Sequence, residues 1–234
     1  MKTHLLNAML ISALGLIIAL NLYAQEPSTE EQVQLQKDRI KYKALIPAKY
    51  TLFKAVQGDL NKDGKADLVL IVKATDPKMW VLDHDQQKVD RNRRGILVFL
   101  NQNGKYQKLM QNLSCFSSEN EEGGVYFAPE LSTHIEKNTV QFHYGHGRYG
   151  HWSYTFRLDG QDLRLIGYDL SSNSGPYSDY QKSINFLTQK KLYRDNINKE
   201  DRDKPERFKE TWSKISIKPI YLSQIINFDE LSFK

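Results

Sequence analysis

The sequence lacks the features that would place it in several specialised protein classes. Cys115 is the only cysteine among 234 residues, so no disulfide can form within the chain. No arginine-rich block with interleaved aromatic residues occurs, which argues against nucleic acid as a partner despite the net charge of +5. Gly-x-Ser-x-Gly, His-Glu-x-x-His and glycine-rich phosphate-binding motifs are also missing. The common hydrolase and nucleotide-binding signatures are therefore absent.

The composition is that of a globular protein. Hydrophobic residues make up 40% of the chain, charged residues 26% and aromatic residues 11%. These fractions exclude a low-hydrophobicity disordered chain and a membrane protein with several spans. No internal period of about 20 to 50 residues recurs, so a solenoid is not predicted. The length predicts one globular domain with short appendages.

The first two dozen residues predict a secretory signal peptide. Lys2 precedes an apolar run from Ala8 to Leu20, and Ala24 ends a plausible cleavage site. The run is thirteen residues long, short of the about 20 residues that cross a bilayer. No cysteine stands directly after the run to accept a lipid anchor. We therefore expect a secreted or periplasmic protein, cleaved after Ala24, with no stable membrane insertion after cleavage.

The rest of the chain predicts a mainly β fold of antiparallel hairpins and meanders in one domain. Residues 25–46 form a polar leader that we expect to be helical or mobile, and 47–193 form the β-domain. Short apolar and aromatic runs in that domain are separated by turn residues. Asn103-Gly104 and Asp159-Gly160 each lie between two such runs, the strongest local hairpin signal. A charged loop, 194–207, and a C-terminal strand with a short helix, 208–234, complete the prediction. That strand is expected from Trp212 to Ile217.

The most informative motif runs from Gly58 to Asp67. Counted from Asp59 as position 1, acidic or amide side chains stand at positions 1, 3, 5 and 9, and a glycine stands at position 6. The carbonyl of position 7 is expected to point inward. A hard cation needs several oxygen atoms converging from one turn, and these residue types supply them. The predicted calcium ligands are Asp59, Asn61, Asp63, Lys65 and Asp67. An Asp-Gly hairpin turn alone would explain Asp63-Gly64, but it would not require the other oxygen-bearing side chains.

The stretch from Gly58 to Leu70 resembles the calcium loop of FG-GAP and VCBS-type repeats. The resemblance implies that Asp59, Asn61, Asp63 and Asp67 bind calcium through their side chains and Lys65 through its carbonyl. Leu70 stands where an EF-hand has glutamate, and there is one clear copy, so a complete propeller is not implied. The chain also resembles a group of uncharacterised exported bacterial proteins, which implies a secreted β-domain and no particular activity. That likeness rests on the calcium loop and on four further segments: 93–98, Gly123-Gly124, 151–157 and 165–169.

A second candidate site lies in the segment 143–152, which is rich in histidine, glycine and aromatic residues. It could form a zinc site, a proton-transfer site, a sugar-stacking surface or a glycine-bent part of the core. The possible ligand-binding residues are Tyr144, His146, Arg148, Tyr149 and Trp152. We expect a calcium-binding protein with a binding or structural role, with a glycan or a cell-surface protein as its partner. The alternative is a hydrolase that acts on extracellular glycan or peptide through this segment.

Overall fold

The computed structural model describes residues 29–121, 128–201 and 203–233. The predicted signal peptide, 1–24, and the Gly123-Gly124 pair lie outside the described residues. Within those ranges, no helix has the length and apolar character needed to cross a membrane.

The described chain is mainly β, and its sheets are antiparallel, which confirms the predicted fold class. One α-helix, α1 (Thr29–Lys41), lies in the predicted polar leader, and all of its side chains are at least partly exposed. The strands that follow it are β1 (Tyr50–Gly58), β2 (Asp67–Ala74), β3 (Trp80–Leu82), β4 (Lys88–Asp90), β5 (Arg94–Gln102), β6 (Lys105–Phe116), β7 (Glu130–Glu136), β8 (Thr139–Gly145), β9 (Gly150–Asp159), β10 (Asp162–Ser174), β11 (Tyr177–Asn185), β12 (Lys190–Asn196) and β13 (Phe208–Lys214).

Two large sheets form the body of the fold. The smaller sheet has the order β1-β2-β5-β6, and the larger has the order β13-β12-β11-β10-β9-β8-β7. Consecutive strands of the larger sheet are neighbours throughout, so it is a meander. Asn103-Gly104 connects β5 to β6 and Asp159-Gly160 connects β9 to β10, which confirms both predicted hairpins. Strands β3 and β4 form a separate small hairpin.

Strand β2 shows why the run Leu68-Val69-Leu70-Ile71-Val72 has no polar alternation. Val69 and Ile71 belong to a core cluster shared with the seven-stranded sheet, which includes Phe142 and Phe156. Leu70, on the opposite face of β2, belongs to a second cluster that includes residues of α1 and the turn after it. Because this run is covered on both faces, all five of its positions are apolar.

The C-terminal segment packs on the seven-stranded sheet. Leu222, Ile225 and Phe228 are buried in the main core, and the Phe228 ring stacks on Phe116 with 4.7 Å between ring centroids. Two 3-10 turns, Leu222–Gln224 and Phe228–Glu230, stand where the sequence predicts a short helix.

The predicted charged loop is shorter in the structure. Arg194, Asp195 and Asn196 complete β12, in register with Gln181 and Tyr180 of β11 and with three residues of β13. The Arg194 guanidinium lies 3.2 Å from the Glu210 carboxylate on the neighbouring strand. Cross-strand pairing of opposite charges therefore extends the strand into a segment that composition alone assigns to solvent.

Candidate functional site

The predicted calcium motif forms the turn between β1 and β2. Lys62 and Gly64 have φ angles of +66° and +79°, so the backbone enters the left-handed region twice within this turn. No atom lies within 4 Å of where a Gly64 Cβ would be, which means that glycine is suited here by its backbone freedom and not by close packing.

Asp59 organises the turn through its carboxylate. Its Oδ1 accepts a hydrogen bond from the Lys62 N–H at 2.6 Å and a longer one from the Asp63 N–H at 3.3 Å. Its Oδ2 accepts from the Gly64 N–H at 3.0 Å. Three successive backbone donors therefore converge on one carboxylate, and this convergence closes the bend around the Asp59 side chain.

Asn61 and Asp63 lie together in the same bend. Asn61 Oδ1 accepts from the Asp63 N–H at 3.0 Å, and Asn61 Nδ2 donates to Asp63 Oδ2 at 3.2 Å. Asp63 Oδ1 accepts from the Lys65 N–H at 2.9 Å. The turn thus brings three of the predicted side chains, Asp59, Asn61 and Asp63, into one cluster.

Asp67 occupies a different position. Its side chain is fully buried, and its two oxygens accept from the Leu60 N–H and the Asn101 N–H, each at 2.8 Å. Asp67 therefore joins the turn to the end of β5. The Lys65 side chain is directed toward the turn between β5 and β6, because its Nζ donates to Asn103 Oδ1 at 2.8 Å.

Two asparagines that the sequence did not single out hold the turn in place. Asn101 supplies the N–H that binds Asp67, and its side chain donates to the Ala66 carbonyl at 3.1 Å. Asn138, between β7 and β8, donates from its side chain to the Asp59 carbonyl at 2.9 Å. Both are polar residues next to hairpin turns, which is a common pattern, and nothing in their sequence positions points to the calcium motif.

The donor chemistry of the turn fits a hard cation in part. Asp59, Asn61 and Asp63 supply carboxylate and amide oxygens, and an oxygen that accepts one N–H keeps a further lone pair. Across the described ranges, no three His, Cys, Asp or Glu side chains are grouped to hold a metal ion. Asp59 and Asp63 are the two acidic side chains of the cluster, and Asp67 would be the third. Both Asp67 oxygens already accept backbone N–H groups.

The possible ligand-binding residues of the segment 143–152 do not all lie together in the structure. Tyr144 and Trp152 pair across β8 and β9, and their rings stack with centroids 5.3 Å apart. Tyr144 is 1% exposed, and within the described residues its hydroxyl has no hydrogen-bond partner. Arg148 and Tyr149 lie in a 3-10 turn between the two strands, where Arg148 is exposed and Tyr149 is half-buried.

The histidines of this segment do not gather at one point. His143 and His151 lie at outward-facing positions of the seven-stranded sheet, with ring centroids 5.2 Å apart. His146 lies on the other side, where its ring approaches Trp152 edge to face at 6.5 Å. Burial, together with the nearby His151 and His134, lowers the pKa of His143. Alternation along the strand therefore separates His143 from His146.

His146 and Trp152 line a cavity of about 450 Å³ between the seven-stranded sheet and the C-terminal segment. Burial raises the pKa of two tyrosines in its wall, Tyr154 and Tyr168, the latter to about 12. The other described lining residues are Ser117, Glu121, Ala128, Pro129, Leu170, Phe228, Asp229 and Leu231. Arg148 and Tyr149 are not among them. The structure thus places two of the five predicted ligand-binding residues in one cavity.

Comparison with known proteins gives no match to a family model, a curated protein or a solved structure.

Proposed function

We propose that this chain is an exported calcium-binding β-domain, secreted or periplasmic, that acts by binding or as a structural element. The observation that carries the proposal is the cluster of Asp59, Asn61 and Asp63 side chains in one bend. The resemblance of this turn to FG-GAP and VCBS-type loops supports the same proposal. Calcium would be held by these three side chains and the Lys65 carbonyl, and Asp67 would join them through a lone pair that its two backbone N–H bonds leave open.

A bound cation would stabilise the fold because it neutralises the paired carboxylates of the turn. Calcium that binds only the folded state at about 100 times its Kd adds about 2.7 kcal/mol to the free energy of unfolding. For a domain of this size, about 1 kcal/mol shifts the melting temperature by about 2–4 °C. We therefore expect calcium to raise the melting temperature by roughly 5–11 °C.

The test compares melting curves of the chain from residue 25 onward in calcium and in chelator. Asp63→Ala should remove most of the calcium-dependent shift, because it deletes an exposed ligand of the turn. Asp85→Ala is the matched control, since Asp85 is an exposed aspartate in the turn between β3 and β4. Identical wild-type curves with calcium and with chelator would contradict the proposal.

A glycan or a cell-surface protein remains the proposed partner. Trp152 supports the glycan, because an aromatic ring in a cavity wall can stack on the apolar face of a sugar. Glycan-array binding that is lost in Trp152→Ala and kept in Trp212→Ala would support it. Trp212 suits the control because it lies on the edge strand β13 and is 63% exposed.

A hydrolase is the second candidate, and one observation favours it. His146 shares the cavity with Glu121 and Asp229, and imidazole and carboxylate groups are the usual side chains for proton transfer. If the chain hydrolyses extracellular glycans or peptides, His146→Ala should abolish the turnover seen in a broad substrate screen. No turnover by the wild-type chain would favour the binding role.

A further inference from the structure

We propose that the cavity beside Trp152 binds a small ligand that carries a protonated amine next to an apolar face. This inference rests on the proposed binding role of the chain, and it does not depend on calcium. The cavity contains two features that such a ligand requires: a wall of aromatic rings and a pair of carboxylates.

The aromatic wall is built by the fold. Trp152 and Tyr154 point inward from β9, and Tyr168 lies opposite Tyr154 on β10. Phe228, from the C-terminal segment, contacts Tyr154 with 4.9 Å between ring centroids. The Tyr154 hydroxyl donates to the Phe228 carbonyl at 3.2 Å, which fixes these two rings relative to each other. Aromatic faces attract cations electrostatically, and they also exclude water from one side of a ligand.

The two carboxylates enter from separate parts of the chain. Glu121 follows the end of β6, and Asp229 lies in the 3-10 turn Phe228–Glu230. No lysine or arginine is found among the described residues that line the cavity. A carboxylate forms its strongest hydrogen bonds with charged donors, so an ammonium group is better matched to this pair than a neutral hydroxyl.

Cations that adjoin the cavity walls are bonded to other groups. Arg94 is 2% exposed, and its Nε donates to the Ser117 carbonyl at 2.8 Å. Glu119 lies 4.0 Å from the same nitrogen and also forms an ion pair with Lys73. Lys182, across the sheet from Leu170, donates to the Phe233 carbonyl at 3.2 Å. Arg94 also attracts Glu121 and Asp229 electrostatically. Because its single positive charge is shared with Glu119 as well, the two lining carboxylates leave an excess of negative charge at the cavity.

The size of the cavity limits the ligand. A volume of about 450 Å³ lies in the lower half of the range of about 300–1,000 Å³ that is usual for small-molecule sites. A single sugar or a single substituted aromatic ring suits that space. The amine could therefore be part of an amino sugar or of an arylalkyl amine, because both combine an ammonium group with an apolar face.

The experiment uses two sets of three probes that differ in charge at similar size. Glucosamine, glucose and glucuronate form the sugar set, and benzylamine, benzyl alcohol and benzoate form the aromatic set. Affinities are measured by titration calorimetry near neutral pH, with calcium and again with chelator. We expect the amine of at least one set to bind at least about tenfold more tightly than its neutral partner, and the anion to bind least. The set that binds identifies the class of ligand.

The double variant Glu121→Gln/Asp229→Asn should weaken amine binding by at least about tenfold. The control Glu136→Gln/Asp85→Asn removes the same charge from exposed positions outside the cavity and should leave the affinity unchanged. Circular dichroism checks that both variants are folded. Equal binding of amine and neutral probe, tightest binding of an anion, or no binding of either amine would overturn the inference. These outcomes differ from failure of the calcium proposal, which would abolish the calcium-dependent melting shift and leave amine binding unchanged.

Discussion

Replacement of Asp67 by alanine tests whether this residue anchors the turn independently of calcium. Asp67 is fully buried, and its oxygens accept hydrogen bonds from the Leu60 and Asn101 N–H groups. Alanine leaves both donors without a partner. The Leu60 N–H belongs to a residue that is 2% exposed, so it should bear a penalty of about 2 kcal/mol, and the half-buried Asn101 about 1 kcal/mol. We expect the free energy of unfolding to fall by about 3 kcal/mol.

Urea unfolding in the presence of chelator measures this loss, because calcium then makes no contribution. Asp63→Ala is the matched comparison, since Asp63 is exposed at the tip of the same turn. Its loss in chelator should be under about 1 kcal/mol, as for most surface substitutions. If Asp67→Ala were no more destabilising than Asp63→Ala in chelator, the assignment of Asp67 as a buried anchor would be refuted.

Three further predictions follow from buried positions. Burial raises the pKa of the Cys115 thiol to about 12, so iodoacetamide at about pH 8 should label the chain in urea and leave the folded protein unmodified; rapid labelling of the folded chain would contradict this. Gly150 has φ of +109°, and a Cβ there would lie 1.9 Å from the Ser171 carbonyl oxygen. Gly150→Ala should therefore lower the free energy of unfolding by about 3 kcal/mol, measured by urea unfolding; an unchanged urea midpoint would show that the β8–β9 connection relaxes freely. Phe228 is 1% exposed and contacts four core rings, so Phe228→Ala should cost about 3–5 kcal/mol by the same measurement, and a cost under about 1 kcal/mol would mean that the C-terminal segment is not part of the core.

The sequence predicts best those parts of the fold that depend on residues adjacent in sequence. Asn103-Gly104 and Asp159-Gly160 set the chain direction through turn geometry, and both hairpins form. The run from Leu68 to Val72 lies within β2, and its continuous apolar sequence is typical of a strand buried on both faces.

Elements that depend on distant partners were harder to predict. The last strand was expected from Trp212 to Ile217, whereas β13 covers Phe208–Lys214. Its register is set by β12, where Trp212 lies opposite Leu192 and Glu210 lies opposite Arg194. The residues before Trp212 carry charges that do not predict a strand in isolation, and pairing with β12 outweighs that local preference.

The two candidate sites also differ in how far apart their residues lie along the sequence. The calcium motif is contiguous in sequence, so its residue spacing could be read directly, and the turn does gather Asp59, Asn61 and Asp63. The cavity joins Trp152 to Glu121 and Asp229, which come from three separate parts of the chain. Packing of the C-terminal segment and of the chain after β6 against the seven-stranded sheet brings these residues together, and no local pattern could have indicated it.

Calcium binding at the turn between β1 and β2 is tested most directly by titration calorimetry of the purified chain from residue 25 onward. The proposal predicts a saturable isotherm with one ion per chain, and loss of that isotherm in Asp59→Ala, which removes the carboxylate on which the turn closes. A flat isotherm for the wild-type chain, or an isotherm that Asp59→Ala leaves unchanged, would contradict it.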